Sequence, residues 1–288
     1  MTTVLITGPT RGLGRAATLA LADRGAELVL VGRSLTEVAA EARARGARVH
    51  EIPCDLSRLA DVRAAAVTAR AAGPLDVVIA NAGAMSPDTR LASADGYELT
   101  FAVNYLAHAQ LIGDLLGSLA DPARIVLLGS NVYSANIWRR LLGVPEADWR
   151  DPIELARPVP GTGLAASGVA YANAKLAILY YAHELQRHVG PGVNVSVFEP
   201  GWMPGTALSR GTPEVFQAIG RGLGRLPGVS TPRRSGPALA SLALDDKWSH
   251  LRDGAFVLKD KETAVRPVAH DREREQRLWE ATAELLRV

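Results

Sequence analysis

Val4-Leu5-Ile6-Thr7-Gly8-Pro9-Thr10-Arg11-Gly12-Leu13-Gly14 is a short apolar run that breaks into glycines and then enters an Ala/Leu-rich segment. The order reads strand, tight turn, helix. Gly8 allows the sharp turn, Gly12 lets backbone approach a ligand, and Gly14 lets the helix pack closely on the strand. Together they aim the positive N-terminus of a helix at an anion, most simply the pyrophosphate of a dinucleotide. A glycine spacing alone is weak, because a plain strand-to-helix turn produces it too. The pattern that follows decides between the two.

Moving outward, helix and parallel strand alternate along the chain. Arg15 to Arg24 reads as helix stopped by Gly25, Leu28 to Val31 as a buried strand, Leu35 to Arg45 as helix stopped by Gly46, and Arg48 to Ile52 as strand. Helix from Asp61 to Ala72 and strand from Asp76 to Ala80 continue it. A long helix is expected from Asp95 to about Leu119, followed by strand Arg124 to Leu128. The segment 131–168 loses periodicity and is read as an insertion. Helix returns from Val169 to Val189 with Ser167 as its N-cap, then strand from Val193 to Phe198. The Gly, Pro and Arg-rich region 200–236 reads as a lid, with one short helix near Glu214 to Ile219. Its Gly220-Arg-Gly-Leu-Gly224 has no strand before it and is not read as a phosphate turn. Helix from Pro237 to Leu244, strand from Gly254 to Val257 and a last helix from about Asp271 complete the chain. Such alternation predicts an α/β fold of the Rossmann type: a doubly wound parallel sheet of about seven strands with helices on both faces. Residues 1–288 show no linker and no internal repeat, so one domain is expected.

Composition narrows the function classes. At 288 residues and 48% hydrophobic the chain can bury one large core. A formal net charge of +2 gives no electrostatic reason to capture nucleic acid or an anionic membrane. Cys54 is the single cysteine, which excludes an internal disulfide and fits a reducing compartment. No apolar run reaches the length of a membrane span, and the first strand begins where a signal peptide would need its charged region. A soluble cytoplasmic protein is the expectation. The six histidines are scattered, with no acidic partner at ligand spacing, so no metal is expected.

The chemistry-bearing residues sit where the pattern can use them. Tyr171-Ala-Asn-Ala-Lys175 puts a phenol and an ammonium one turn apart on a helix, where the cation favours phenolate. Ser130 directly follows the strand ending at Leu128, at the carboxyl end where open α/β sheets bind ligands. A turn or capping serine is the plainer alternative. After the second strand, Val31-Gly32-Arg33-Ser34 offers no carboxylate to a ribose, and Arg33 and Arg11 could flank a 2′-phosphate. NADP(H) is therefore expected over NAD(H).

The Thr-Gly-x-x-x-Gly-x-Gly spacing from Thr7, Asn81-Ala82-Gly83 after the fourth strand and Tyr171-x-x-x-Lys175 together resemble the short-chain dehydrogenase/reductase family. The resemblance runs over essentially the whole chain. It implies a catalytic tetrad of Asn104, Ser130, Tyr171 and Lys175, with Asn104 holding a water that links the lysine to solvent. It also implies coenzyme contacts at Thr7, Gly8, Arg11, Gly12, Leu13, Gly14, Arg33, Asp55, Leu56, Asn81, Ala82, Gly83, Pro200, Gly201, Met203 and Thr206, besides Tyr171 and Lys175. Asp55 can instead cap a helix near Ser57, and Asn104 can be a core amide bonded to backbone.

Ser130 and Tyr171 lie farther apart than in most short members of the family, and Gly129 stands where a serine is common. The insertion, with Asp95-Gly-Tyr-Glu-Leu-Thr-Phe-Ala-Val-Asn104 and Arg277-Leu-Trp-Glu280, resembles the retinol dehydrogenase and protochlorophyllide reductase branch. This implies hydride transfer between nicotinamide and a ketone or secondary alcohol of a medium-sized, partly apolar substrate, with Tyr171 as general acid/base. Trp138, Trp149 and Trp202 are candidates for the substrate wall, or else pack the insertion onto the body. Reduction of an activated C=C bond, epimerisation, or NADP(H) sensing without catalysis are the alternatives on the same scaffold. Family members often form homodimers through the helices that here carry Asn104 and Tyr171.

Overall fold

The structure is a computed structural model that describes residues 1–134, 145–203 and 229–287. Eight strands form one sheet: β1 (Thr3–Thr7), β2 (Glu27–Gly32), β3 (Val49–Pro53), β4 (Leu75–Ala80), β5 (Leu119–Leu128), β6 (Val193–Glu199), β7 (Ala255–Leu258) and β8 (Lys261–Glu262). Their order across the sheet is β3-β2-β1-β4-β5-β6-β7-β8. All neighbours are parallel except the last pair, where the chain turns back on itself. The order reverses between β1 and β4, which opens a crevice above their carboxyl ends.

Local chemistry explains the elements. β1 is buried along its whole length, as a central parallel strand covered on both faces must be. Helices α1 (Gly12–Ala22), α2 (Thr36–Ala44) and α3 (Leu59–Arg70) return the chain to the next strand. Two apolar clusters result, one on each face of the sheet, with Leu5 and Val29 pointing into one and Val4 and Leu28 into the other.

The helix expected from Asp95 to Leu119 is built differently. It begins as α4 (Leu99–Phe101), passes through a π-helical turn (Ala102–Leu106), and becomes α5 (Ala107–Leu115). Glu98 fixes the start, because its carboxylate accepts from the amides of Thr100 and Phe101. Asn104 sits inside the π turn, a deformation that side-chain periodicity cannot reveal and that is frequent at functional sites. After α6 (Pro152–Leu155), helix α7 (Gly163–His188) starts earlier than expected. Ser167 is therefore not an N-cap but a buried residue within the helix. α8 (Pro232–Leu244) and α9 (Arg272–Leu285) follow, the latter capped by the Asp271 side chain. β8 is the strand beyond the seven expected, too short to leave a sequence signature. The expected helix 214–219, the Gly220–Gly224 repeat and most of the 200–236 region lie outside the described residues.

Candidate active site

A groove of about 510 Å³ lies at the β1/β4 switch point. Its floor is the glycine turn. Gly8 and Gly12 adopt positive φ of 63° and 51°, and a Cβ on Gly14 would stand 2.1 Å from the Gly8 carbonyl oxygen. Beside Gly12 there is open space, with nothing within 4 Å of where a Cβ would stand. No side chain caps the start of α1, so its first-turn amides are presented to whatever occupies the groove. A pyrophosphate fits this cradle.

Gly8, Arg11, Gly12, Leu13, Gly14, Arg33, Asp55, Leu56, Asn81, Ala82, Gly83, Tyr171, Lys175, Pro200 and Met203 all line the groove. Thr7 does not, being fully buried beneath the turn. Gly201 is just outside, at φ 81°, and Thr206 lies outside the described residues. Arg15 also reaches the groove but is paired with Glu41, whereas neither Arg11 nor Arg33 is held in an ion pair among the described residues. Glu37, in the first turn of α2, lines the groove as well. Asp55 accepts from the amide and hydroxyl of Ser57, at 3.0 and 2.8 Å. Burial raises its pKa, but these two bonds and the Arg33 charge outweigh that and leave it below the usual range.

The Asn81 side chain is spent on the protein itself, donating to the carbonyls of Thr7 and Gly8 at 2.8 and 3.1 Å. It thereby staples the end of β4 to the glycine turn. Asn104, fully buried, brackets Ala84: its Oδ1 accepts from the Ala84 amide at 2.7 Å, and its Nδ2 donates to the Ala84 carbonyl at 2.8 Å. A Cβ on Gly83 would come within 3.2 Å of the same Oδ1, so a larger residue there would press on the Asn104 amide.

At the far end of the groove, Lys175 donates from Nζ to the carbonyl of Leu128 at 2.6 Å and lies 5.5 Å above the centre of the Tyr171 ring. Burial lowers the ammonium to about 8, against a raising influence from Glu199. The Tyr171 phenol is pushed above its ordinary value, first by burial and then by the negative charge of Glu199. This reverses the direction that a nearby cation suggests, because burial of the phenol dominates in the protein alone. Ser130 follows Leu128 and Gly129 directly and caps the turn at Asn131–Tyr133 through a long 3.4 Å bond from the Val132 amide. Neither Ser130 nor Asn104 is part of the groove lining. Gly129 cannot be a serine in this packing, since a Cβ would meet the Val197 side chain at 2.3 Å.

The tryptophans separate. Trp149 packs edge-on against Tyr180 at 4.9 Å and away from the groove lining, Trp202 is 62% exposed beside groove-lining Met203, and Trp138 lies outside the described residues. Sequence reasoning missed Leu99 and Val103, which line the groove from the α4 and π-turn segment, and His108, whose contacts cross the molecule. The histidines are also less isolated than their spacing suggests. His183 bonds Glu275 at 2.7 Å and stacks on His270 at 4.6 Å, bringing three metal-capable groups together. That carboxylate is already shared by the His183 ring and Arg187. Partners this distant in sequence leave no trace in residue spacing.

Comparison with known proteins now bears on the groove. The family model described as short chain dehydrogenase matches residues 2–137. A protein named "Probable oxidoreductase" from Streptomyces lividans is 31% identical, over 98% of this chain and 96% of its own length. The chain belongs to the short-chain dehydrogenase family. Within that family it falls on the branch of the retinol dehydrogenases and protochlorophyllide reductases. Human retinol dehydrogenase 13 is 29% identical, over 99% of this chain and 84% of its own. Among solved structures, a blue fluorescent protein from a metagenomic library in complex with NADPH superposes with a TM-score of 0.67 at 25% identity, covering 91% of this chain and 98% of its own. Among the described residues of this dehydrogenase-family chain, no helix is long and apolar enough to cross a membrane.

Proposed function

We propose that the protein is an NADP(H)-dependent oxidoreductase that interconverts a ketone and a secondary alcohol on a medium-sized, partly apolar substrate, with Tyr171 as general acid/base. The observation that carries this reading is one continuous groove with the glycine turn and two arginines, in no ion pair among the described residues, at one end and Tyr171 with Lys175 at the other. Residues 1–288 are read as one coenzyme-binding domain. The coenzyme, when bound, supplies or accepts the hydride.

The chain's own residues do the rest. Amides of the α1 first turn receive the pyrophosphate, and Arg11 and Arg33 favour a 2′-phosphate. With its pKa raised, the phenol of Tyr171 keeps its proton at neutral pH, the form needed to protonate a carbonyl oxygen as charge develops there. Lys175, anchored on Leu128, places positive charge against the same ring. Ser130, at the end of β5, is assigned to hold the substrate oxygen, and Asn104 to fix the loop 81–84. Retinol and protochlorophyllide, in the names of the relatives, are bulky apolar molecules. Exposed Trp202 beside Met203 offers such a molecule an apolar lip.

The test is oxidation of NADPH with a panel of ketones. Turnover that Tyr171→Phe abolishes while NADPH still binds supports the reading. Binding without turnover of any ketone would favour a coenzyme sensor, and turnover of enones alone would favour C=C reduction. For the coenzyme, Arg33→Ala is expected to weaken NADPH more than NADH, and an unchanged affinity ratio would defeat the assignment.

A further inference from the structure

His108 is buried in α5, 3% exposed, and no step assigned above uses it. Its two ring nitrogens span two different clamps. Thr7 ends β1, and its hydroxyl accepts from the amides of Asn81 and Ala82, each at 3.0 Å. Those two donors occupy both lone pairs of the hydroxyl oxygen. The hydroxyl proton is left for the third partner, His108 Nε2 at 2.9 Å, which must therefore be the unprotonated nitrogen. At the other side of the ring, Nδ1 lies 3.0 Å from the Asn104 carbonyl, which can only accept. Nδ1 must carry the hydrogen. Both ends independently require the same tautomer.

The two clamps share one loop. Thr7 holds it at Asn81 and Ala82, and Asn104 holds it at Ala84. We propose that His108 is a positioning residue for the coenzyme groove: its Nδ1–H ring joins the glycine-turn strand to the π turn carrying Asn104, so that turn, loop 81–84 and helix keep one geometry. This rests on the reading of the groove as a nicotinamide coenzyme site. A protonated ring would present a second N–H to a hydroxyl that already receives two, and the Thr7 end would open. Burial opposes that charge, and so does the Lys175 ammonium from α7, the charged group that bears on the ring among the described residues.

Two measurements test the role. In coenzyme-free protein labelled with 15N-histidine, the ring signal that is absent from His108→Phe is expected in the Nδ1–H form, unchanged from pH 7 to 5.5. An Nε2–H form of that ring, or its titration in that range, overturns the network. NADPH affinity is then measured by fluorescence at a temperature where every variant is folded. His108→Phe fills the space without either bond and is expected to weaken binding about tenfold, the size of one lost buried hydrogen bond. His108→Gln, whose amide oxygen can take the Thr7 proton, should recover to within about threefold. Wild-type affinity in His108→Phe overturns the proposal. Should His108→Phe fail to fold, Thr7→Val alone decides, with unchanged affinity overturning it. If the wild-type protein binds neither NADPH nor NADH, the coenzyme reading falls and the positioning role with it. The labelled ring would still report whether the network exists.

Discussion

Lys175 Nζ lies 2.6 Å from the carbonyl oxygen of Leu128, two residues before Ser130. This bond ties helix α7 to the carboxyl end of β5 and fixes where the ammonium sits relative to Tyr171. The lysine is buried at 4% exposure, in surroundings that disfavour its charge. On the proposed function, that unfavourable position is kept for chemistry and not for stability.

Lys175→Met separates the two. The lowering of Lys175 from 10.5 to about 8 corresponds to roughly 3 kcal/mol against the charged form. Losing the bond to Leu128 leaves a carbonyl without that donor, costing about 1–3 kcal/mol. The two nearly cancel. We expect a Tm within a few degrees of the parent and turnover lower by about 10²–10⁴. A Tm collapse in thermal unfolding, or retained turnover, would contradict this.

Glu199 ends β6, is 4% exposed, and its charge raises the pKa of both Tyr171 and Lys175. Removing that charge in Glu199→Gln lowers both. The alkaline limb of the reduction rate, where the ammonium and then the phenol lose their protons, should move to lower pH. The reverse oxidation, which needs the phenolate, should gain activity at a given alkaline pH. Paired pH–rate profiles of parent and variant measure it, and superimposable limbs would show that Glu199 does not act on Tyr171.

The alternation of glycine-stopped helices and apolar strands made the sheet legible, because each parallel strand must be buried on both faces and each helix must cover one. That the glycine turn, Arg33 and Tyr171 with Lys175 would line one groove was legible for a related reason, since each is marked by local spacing. What stayed hidden depends on contacts across the chain. The His108 to Thr7 bond spans 101 positions, and the His183 to Glu275 bond spans 92. The π turn at Asn104 was hidden differently: it alters backbone pairing without altering the apolar pattern. Burial also reversed the sign of the Tyr171 shift, which no local motif encodes.

The C-terminal helix α9 packs over part of α7. Trp279 of α9 stacks on Tyr181 at 5.7 Å and on His188 at 4.3 Å, both on α7. Tyr97 donates to the Leu285 carbonyl at 2.6 Å, and Arg63 to that of Leu286 at 2.8 Å. We expect light scattering after size exclusion to give the mass of one chain at micromolar concentration. A stable dimer that Trp279→Ala disrupts would instead make this helix part of an interface.

Acid should weaken the fold through His108. Burial lowers its pKa from 6.5 to about 4, so between those values the unfolded chain binds a proton that the folded chain refuses. Stability from the neutral ring is therefore complete above pH 6.5 and is lost as pH falls toward 4, by up to about 3 kcal/mol. Partly exposed carboxylates with lowered pKa values, such as Asp55 and Asp151, add a further loss at still lower pH, so the His108 part must be taken as a difference. Urea unfolding at pH 7, 5.5 and 4.5 should show a steeper decline in the parent than in His108→Gln, which has no proton to gain. Parallel declines would place the ring's folded pKa near its ordinary value and remove the reason for keeping it neutral.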